Sequence, residues 1–523
     1  METSLALPAQ AKFPRRLVRL SRFQLTAMLM LVALVVRCVG LTLRPIWLDE
    51  GFSAWFSARS WHYLWTIAPT FETHPPFYYS VLKLWSELFG HSAIALRGLS
   101  VMLGVAAVPV VIAAALEHEK LDPSGNSQLR AGIAGFLVAC SPLLVGLGQE
   151  ARPYPLLVLA YAIAILAVLR LMREFRDDGP GQWSSWLLLL VGTELTLWAH
   201  SLGVLYGACL ALAFAPAWLK SPMTRARLER GVVVAVGVVL LYLPCLLIVA
   251  GRTHDWGTTW LEWEPSMLLQ LVTMYSAMHV TTIASAAAVA LTLLLAKRAV
   301  QHASNGSSWN ENRAILLLWL GPPLLSAFIS AFFVPVFLVR TLAGTLVPAC
   351  LAIAGAAART PSPRERAMLT IAICVTLVPS TLETAFRPPF ERWDLVAAYL
   401  ARNAAPGDQV WLYPTDSSLP LAETGVKISA PIRSLPAPYP TLGVSGPMRA
   451  GSPAMVSLVP EQMRKIAQDP SLQRVRTVWL VTRQSGIFDP HDDMPNSLAL
   501  VRHRGPAREW GYISVQPFTR VDR

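Results

Sequence analysis

The chain carries eleven apolar runs of about 17–25 residues, the length at which an α-helix crosses a hydrocarbon core ~30 Å thick. They fall near 23–43, 93–116, 131–149, 154–172, 184–199, 201–219, 231–250, 279–296, 314–334, 337–357 and 367–386. Such a series must be buried in lipid or in other helices, because no aqueous surface is left for it. Composition agrees: 54% of the 523 residues are hydrophobic and 15% charged, against roughly 25% charged in a soluble domain. A soluble enzyme, a disordered scaffold and a secreted disulfide-rich module are excluded. The six cysteines (Cys38, Cys140, Cys209, Cys245, Cys350, Cys374) lie inside apolar runs and none has a CxxC neighbour, so no disulfide framework or zinc site is indicated.

A net charge of +12 would suggest nucleic acid in a soluble chain, but here Lys and Arg gather in alternate loops, as the positive-inside bias requires. The basic head (Lys12, Arg15, Arg16, Arg19, Arg22) precedes a run too long for a cleaved signal and without a small-residue cleavage site. It reads as a retained signal anchor with a cytoplasmic N-terminus. Alternating the spans then places Lys120 and Arg130; Arg170, Arg173 and Arg176; Lys220, Arg225, Arg227 and Arg230; Lys297, Arg298 and Arg313; and Arg359, Arg364 and Arg366 on the cytoplasmic side. Residues 75–90 and 267–278 are amphipathic and short, and read as interfacial helices on the outer face. The expected class is an all-α polytopic membrane protein of about eleven helices over 1–386, with a first external loop at 44–92. A small α/β extracytoplasmic domain follows over 387–523. In it, Trp393, Val396, Ala397 and Leu400 mark a helix face, 410–414 and 478–482 read as strands, and the Pro-rich 435–443 is loop. Short cytoplasmic loops point to a bacterial inner (plasma) membrane.

This topology sorts the polar residues. Asp49, Glu50, Glu72, His74, Glu150, Arg152, His200 and Arg340 all land at the outer boundary. Ionisable residues within spans are expensive and default to functional suspects, less so near water; the argument is their convergence. WLDE at 47–50 reads as the end of the first span, its adjacent carboxylates pointing apart, so that one faces an external cleft as a general base; a solvated helix exit is the plain alternative. In FETHPPFYY, Pro75 and Pro76 hold Glu72 and His74 beside a helix N-terminus, an end that favours phosphate. Glu150, Arg152 and Tyr154 sit where one span emerges and the next returns, and Arg152 either binds phosphate or pairs with Glu150. His200 has an ordinary interface role as its alternative, and Arg97 and Arg340 have snorkelling to headgroups. Glu194, mid-span, has no evident partner. The tryptophans Trp47, Trp55, Trp61, Trp65, Trp85, Trp256, Trp260 and Trp263 read as an aromatic belt.

These motifs in this order (LDE after the first span, xHPPxYY, LFG, an Arg before the second span, QEARxY, a His at the fifth span's end, a late Arg) resemble the GT-C glycosyltransferases. The similarity is to the dolichyl-phosphate-mannose–protein mannosyltransferases (family 39) and lipid A aminoarabinose transferases, and covers residues from about 20 to 390. It implies a polyprenyl-phosphate-linked sugar donor, transfer on the external face and inversion. By resemblance Asp49, with Glu50 beside it, is the acceptor-activating carboxylate. Glu72 and His74 match the acidic-x-His-Pro-Pro motif. Glu150, Arg152 and Tyr154 match the Glu-Ala-Arg-x-Tyr stretch, and Arg340 the late Arg facing the donor phosphate. Arg97 and His200 complete the substrate-binding set. Aminoarabinose transferases have Lys where His74 stands, and the loop-inserted trefoil domain of eukaryotic protein mannosyltransferases is absent. A divalent cation (Mg or Mn) bridging Asp49 or Glu72 to phosphate is compatible with the residues, although no dedicated cage is visible. The acceptor is a lipid, glycan or protein. The rival reading is a flippase of the lipid-linked sugar. Transporters place charges at mid-membrane and carry internal repeats, whereas here the polar set lies at one boundary.

Overall fold

The computed structural model describes residues 20–252, 261–276, 283–305, 310–449 and 452–521. The chain opens with α1 (Arg22–Cys38), then α2 (Leu48–Ser57), α3 (Phe77–Phe89), α4 (Ala93–Leu121), α5 (Ser127–Cys140), α6 (Pro142–Gly148), α7 (Tyr154–Arg176) and α8 (Trp183–Ala199). It continues through α9 (Gly203–Lys220), α10 (Arg225–Gly251), α11 (Leu269–Ser276), α12 (Ile283–Ser304), α13 (Glu311–Phe332), α14 (Leu346–Ala358), α15 (Pro363–Phe386) and α16 (Trp393–Asn403). Among the described residues seven helices are long and apolar enough to cross a membrane, and the pair α5–α6, bent by 51°, makes an eighth. The other three expected spans are the 17-residue α1 and α8 and the 22-residue α12. The short amphipathic segments form α3 and α11, while Trp256, Trp260 and the basic head before Leu20 lie outside the described residues.

The first span differs from expectation. It ends at Cys38 rather than at WLDE, because Gly40 takes a left-handed backbone (φ +73°) where a Cβ would strike the Ala385 carbonyl. The chain turns there, and Asp49 and Glu50 open a new helix, α2, instead of closing α1. The bend between α5 and α6 has a partner in α1: the buried Arg37 guanidinium donates to the carbonyl of Val138 (3.2 Å), whose helical donor would be the N–H that Pro142 lacks, and to that of Ala139 (2.8 Å) in the last turn of α5. Gly104 and Gly148 leave the room Arg37 occupies. Of the cysteines, four are buried, Cys374 is half-buried and Cys38 is exposed.

The loops expected to share the cytoplasmic side do meet. Glu117 receives Lys120 and Arg173 (2.9 and 2.8 Å), Arg176 pairs with Glu311 (2.8 Å), Arg298 with Glu365 (2.7 Å), and Asp122 gathers Arg130, His302 and Arg359. The ends of α4, α5, α7, α12, α13, α14 and α15 are thereby tied together. The hydropathy and charge alternations are mutually consistent in three dimensions.

Beyond α15 the composition changes and so does the architecture. A six-stranded sheet is built from β1 (Gln409–Tyr413), β2 (Ile432–Ser434), β5 (Thr477–Arg483), β6 (Arg502–Arg504), β7 (Arg508–Trp510) and β8 (Ile513–Arg520); β3 (Met448–Arg449) and β4 (Ser452–Val456) form a separate hairpin. The main order is β2-β1-β5-β8-β6, parallel through β2, β1 and β5 and antiparallel at β8. Alternate residues of β1 and β5 serve two cores: Trp411, Val478 and Leu480 on one face, Val410, Leu412, Trp479 and Val481 on the other. Both faces are covered, hence the continuous apolar runs. The predicted helix face is buried as expected: Trp393, Val396, Ala397 and Leu400 of α16 are fully enclosed. The turn after β1 seats Leu419 and Pro420 against Gly51 of α2, where a Cβ would already be crowded at 3.1–3.3 Å. The carboxyl ends of β1 and β5 thus point at the short helix bearing Asp49 and Glu50.

Candidate active site

Asp49 and Glu50 occupy the second and third positions of α2, and the helix sends them apart. Glu50 is fully buried and accepts a two-pronged hydrogen bond from Arg97 (2.7 and 2.6 Å) and another from the Ala151 N–H (2.9 Å). Arg97 spends its remaining donors on the carbonyls of Leu41, Arg44 and Pro45. The pair ties the 41–45 turn, α2, α4 and the α6–α7 loop into one rigid unit and borders a cavity of about 540 Å³. With its geometry satisfied on both sides, this ion pair is worth most when intact. Arg97→Met is expected to cost about 3–5 kcal/mol by leaving Glu50 buried and unpaired, read as a lower Tm in detergent. Glu50→Leu combined with Arg97→Met should recover much of that loss.

Asp49 faces the other way, into a cavity of about 330 Å³ shared by Glu72, His74, Arg152, Tyr154, His200 and Arg340. Arg340 lies 3.1 Å from its Oδ2 and Arg152 at 3.8 Å, and Arg152 also donates to the Asp49 backbone carbonyl (3.0 Å). Burial pushes the Asp49 carboxyl up, but Arg340 and Arg152 outweigh it and hold the group below the usual range. Burial pulls the Arg152 guanidinium down, and Asp49 more than restores it, so the pair stays charged.

The two histidines are neutral and their protons can be assigned from their partners. Arg152 approaches His74 Nε2 (3.4 Å), which must therefore accept, leaving Nδ1–H toward Thr73 Oγ1 (3.2 Å). Glu72 Oε1 in turn accepts from the His74 N–H (3.0 Å) and from Thr73 Oγ1 (3.4 Å). His200 Nδ1 accepts from the Leu202 N–H (3.0 Å), so its proton is on Nε2, and that atom is buried with no protein partner. Burial, then Arg152 and Arg340, press His200 down to about 3; His74 is lowered by burial and by His200. The His74 and His200 rings meet at 4.6 Å, tilted by 50°, and Tyr154 stacks on His200 at 5.9 Å. Glu72 is raised, chiefly by burial.

With His200 Nε2, three further buried nitrogens around this cavity lack an acceptor among the described residues: Trp47 Nε1, Arg152 Nε and Arg340 Nε. Arg340 lies over the Trp47 ring at 5.7 Å. Buried donors without acceptors are costly, and here they line one cavity with the Asp49 carboxylate, an arrangement whose chemistry suits an oxyanion.

Glu150 is not with Arg152. It borders the larger cavity with Arg44, Glu383 and Arg387, and among the described residues no ion pair joins Glu150 to Arg152. Burial, then Glu50, raise its carboxyl to about 7. Glu194, in the middle of α8, borders neither cavity. Among the described tryptophans only Trp47 reaches both cavities; Trp55 packs on Tyr63 and Tyr439, and Trp61 and Trp65 are exposed.

The C-terminal unit supplies a roof that sequence reading missed. Tyr439, Ser452, Met455, Arg483, Gln484 and Phe488 border the smaller cavity. Tyr439, on the Pro-rich loop, packs against Phe52, Trp55 and Phe71, and Ser452 donates to the Phe71 carbonyl (2.8 Å). Arg483 ends β5, and Gln484 beyond it holds a left-handed backbone (φ +44°), unusual for a residue with a Cβ. An Arg closing a buried strand was the only local signal available. Among the described residues no group of three His, Cys, Asp or Glu side chains converges on a cation-sized space. Asp49 already engages two arginines, so the donor set does not match a dedicated metal centre.

No protein-family model and no curated sequence matches the chain. Solved structures do. ArnT from Cupriavidus metallidurans bound to undecaprenyl phosphate superposes with a TM-score of 0.60 at 14% identity, over 95% of this chain and 98% of that one. The oligosaccharyltransferase of Archaeoglobus fulgidus, tethered to an acceptor peptide, gives 0.55 at 13% identity over 95% and 74%. The arabinofuranosyltransferase AftD from Mycobacteria gives 0.50 at 15% over 96% and 40%. Over nearly the whole of this chain the architecture is therefore that of these solved structures, a bundle of apolar helices followed by a C-terminal α/β unit: this chain has the GT-C fold.

Proposed function

We propose that the protein transfers a sugar from a polyprenyl-phosphate-linked donor to an acceptor hydroxyl, with inversion at the anomeric carbon. The observation that carries this reading is the meeting of a deprotonated Asp49 with Arg152, Arg340 and the partnerless donors of Trp47 and His200 in one cavity. Cleaving a glycosyl phosphate breaks the bond from C1 to the phosphate oxygen, leaves both electrons on that oxygen and develops positive charge on the ring. Arg152, Arg340 and the Nε2–H of His200 stabilise the leaving phosphate, an electrostatic contribution that is often the largest in such sites. Asp49 takes the proton of the acceptor hydroxyl as its oxygen bonds C1. Glu72, through Thr73, orients His74 against Arg152. Glu50 and Arg97 act as the frame that fixes α2. The larger cavity, with a floor of Leu143, Leu147 and Met274 and a polar rim, suits an amphiphile whose chain lies among the spans.

In this reading the membrane is the bacterial inner membrane, and the C-terminal unit, from about residue 387, stands on its outer side with the cavity. The test is transfer in liposomes from a radiolabelled polyprenyl-phosphate sugar to extracted envelope acceptors. Label leaving the prenyl carrier in wild type, and staying on it in Asp49→Asn, supports the enzyme. Label crossing the bilayer still attached to the carrier, equally in both, establishes the flippase instead.

The Glu150 carboxyl gives the reading a pH signature. Held up to about 7, it is neutral below that pH and ionises above it, adding negative charge near Asp49 and Arg340. Anion binding then weakens. The KM for the donor is expected to rise as pH passes through about 7, and Glu150→Gln should flatten that rise; a wild-type donor KM unchanged from pH 6 to 8 rejects the assignment.

A further inference from the structure

Helix α2 has no cap of its own. Its N-cap position is Trp47, whose side chain accepts nothing, and Pro45 stands just before it. The first N–H of the helix, on Leu48, is buried, and its acceptor comes from 343 residues away: Glu391 Oε2 at 3.1 Å. Glu391 lies just beyond the last span, is 2% exposed, and has both oxygens engaged. Oε2 also accepts from Trp393 Nε1 (2.8 Å), and Oε1 accepts from Arg483 Nε (2.7 Å). Arg483 in turn borders the smaller cavity. The segment carrying Glu391 is clamped from its other side. Tyr512 N–H donates to the Phe390 carbonyl (3.1 Å), Glu391 bridges Gly511, and Gly511 has a left-handed backbone (φ +68°) where any Cβ would collide with Phe390.

A carboxylate at a helix N-terminus is favoured by the unpaired N–H groups and by the dipole. Three carboxylates converge on this one, each with its own arginine: Glu50 with Arg97, Asp49 with Arg340 and Arg152, Glu391 with Arg483. The first two sets arise within the bundle. The third is supplied wholly by the C-terminal unit.

We infer that Glu391 is a positioning residue for Asp49: by capping α2 from the C-terminal unit, and by holding Arg483 at the cavity, it makes glycosyl transfer depend on that unit being seated. The inference rests on Asp49 being the base. A misplacement of about 1 Å at a reacting group can cost on the order of 10²-fold; Arg97 anchors α2 at its third residue, Glu50, and the Glu391 cap fixes its first, Leu48, so that Asp49 is held between the two anchors. The donor-phosphate groups Arg152, Arg340 and His200 stand on other elements and stay in place.

The experiment compares wild type, Glu391→Ala and Glu391→Gln in full-length protein, measuring turnover, its pH profile and the Kd for undecaprenyl phosphate. Glu391→Ala is expected to lower kcat about 10²-fold with the undecaprenyl-phosphate Kd within threefold. Glu391→Gln, which still offers an oxygen to Leu48, is expected to lose less than tenfold. Asp49 is faced by Arg340, Arg152 and Arg483, and by Glu150 and Tyr79. Removing the Glu391 charge leaves Arg483 facing the buried Asp416 as its remaining carboxyl neighbour and less fully compensated, so the acid limb of the glutamine variant moves to lower pH. A kcat within threefold of wild type in the alanine variant overturns the inference, as does an equal loss of undecaprenyl-phosphate binding. If the alanine variant does not fold, an unshifted acid limb in Glu391→Gln overturns it. An inactive wild type would sink the glycosyltransfer reading itself, whereas active wild type with unaffected variants sinks only the role of Glu391.

Discussion

Asp49→Asn is expected to reduce transfer by about 10²–10⁴-fold, the span a positioned base contributes, while leaving the fold and the lipid phosphate site in place. Asn preserves shape and still accepts hydrogen bonds from Arg340 and Arg152, but cannot take a proton. Because it removes a negative charge beside those two arginines, undecaprenyl phosphate should bind the variant at least as tightly as wild type. Loss of turnover with unchanged or improved binding is the signature; a variant that keeps more than a tenth of wild-type kcat removes Asp49 from the chemistry. The pH profile adds a second check. The Asp49 carboxyl is held below its ordinary value, so the base is charged at every pH above that and is lost only as pH falls through the lowered pKa. The acid limb assigned to Asp49 should therefore lie below about 3.9, the unperturbed value.

Arg152→Gln is the second large effect. This guanidinium does two things at once: it touches Asp49 through both backbone and side chain, and its Nε is a buried donor aimed where the leaving phosphate is proposed to sit. Loss of one preorganised donor from such a site typically costs about 10²–10³-fold in kcat. Arg152→Lys should recover only part of that, since an ammonium offers a point charge and not a planar fork. Arg340→Gln is expected to cost less, because its side chain is 27% exposed against 7% for Arg152 and its charge is better screened by water. Single-turnover measurement with saturating donor separates these losses from weaker binding. Equal losses for Arg152→Gln and Arg340→Gln would mean that the difference in exposure does not weaken the Arg340 charge at the site.

The bundle was legible because its signals are local and redundant. An apolar run of span length can satisfy its backbone in lipid only as a helix, and the basic loops report the same alternation independently. The small strands at 410–414 and 478–482 were legible for a similar reason, being short apolar runs between turn signals. What misled was the end of the first span. Apolarity continues past Cys38 to Leu43, but Gly40 and its fit against Ala385 break the helix, a contact 345 residues distant in the chain. The adjacency of Asp49 and Glu50 correctly implied that they face apart; which one faces the cavity depends on where Arg97 lies, and that is a packing fact.

From residue order alone came the apolar helices of the bundle, the α/β unit at the C-terminus and the short list of charged residues to compare, since each follows from hydropathy, periodicity or charge near in sequence. Tertiary structure alone decided which of those charges share a space. It put Glu150 with Arg44 and not Arg152, spent Glu50 and Arg97 on each other, and left the Nε2–H of His200 without a partner. It also brought Tyr439, Arg483 and Glu391 over the cavity from a segment whose sequence carries no motif. The physical reason is one of range. Helix and strand formation is dictated by neighbours within a few residues, whereas the charge state and partner of a buried group are set by whatever the fold places within about 4 Å, irrespective of its distance along the chain.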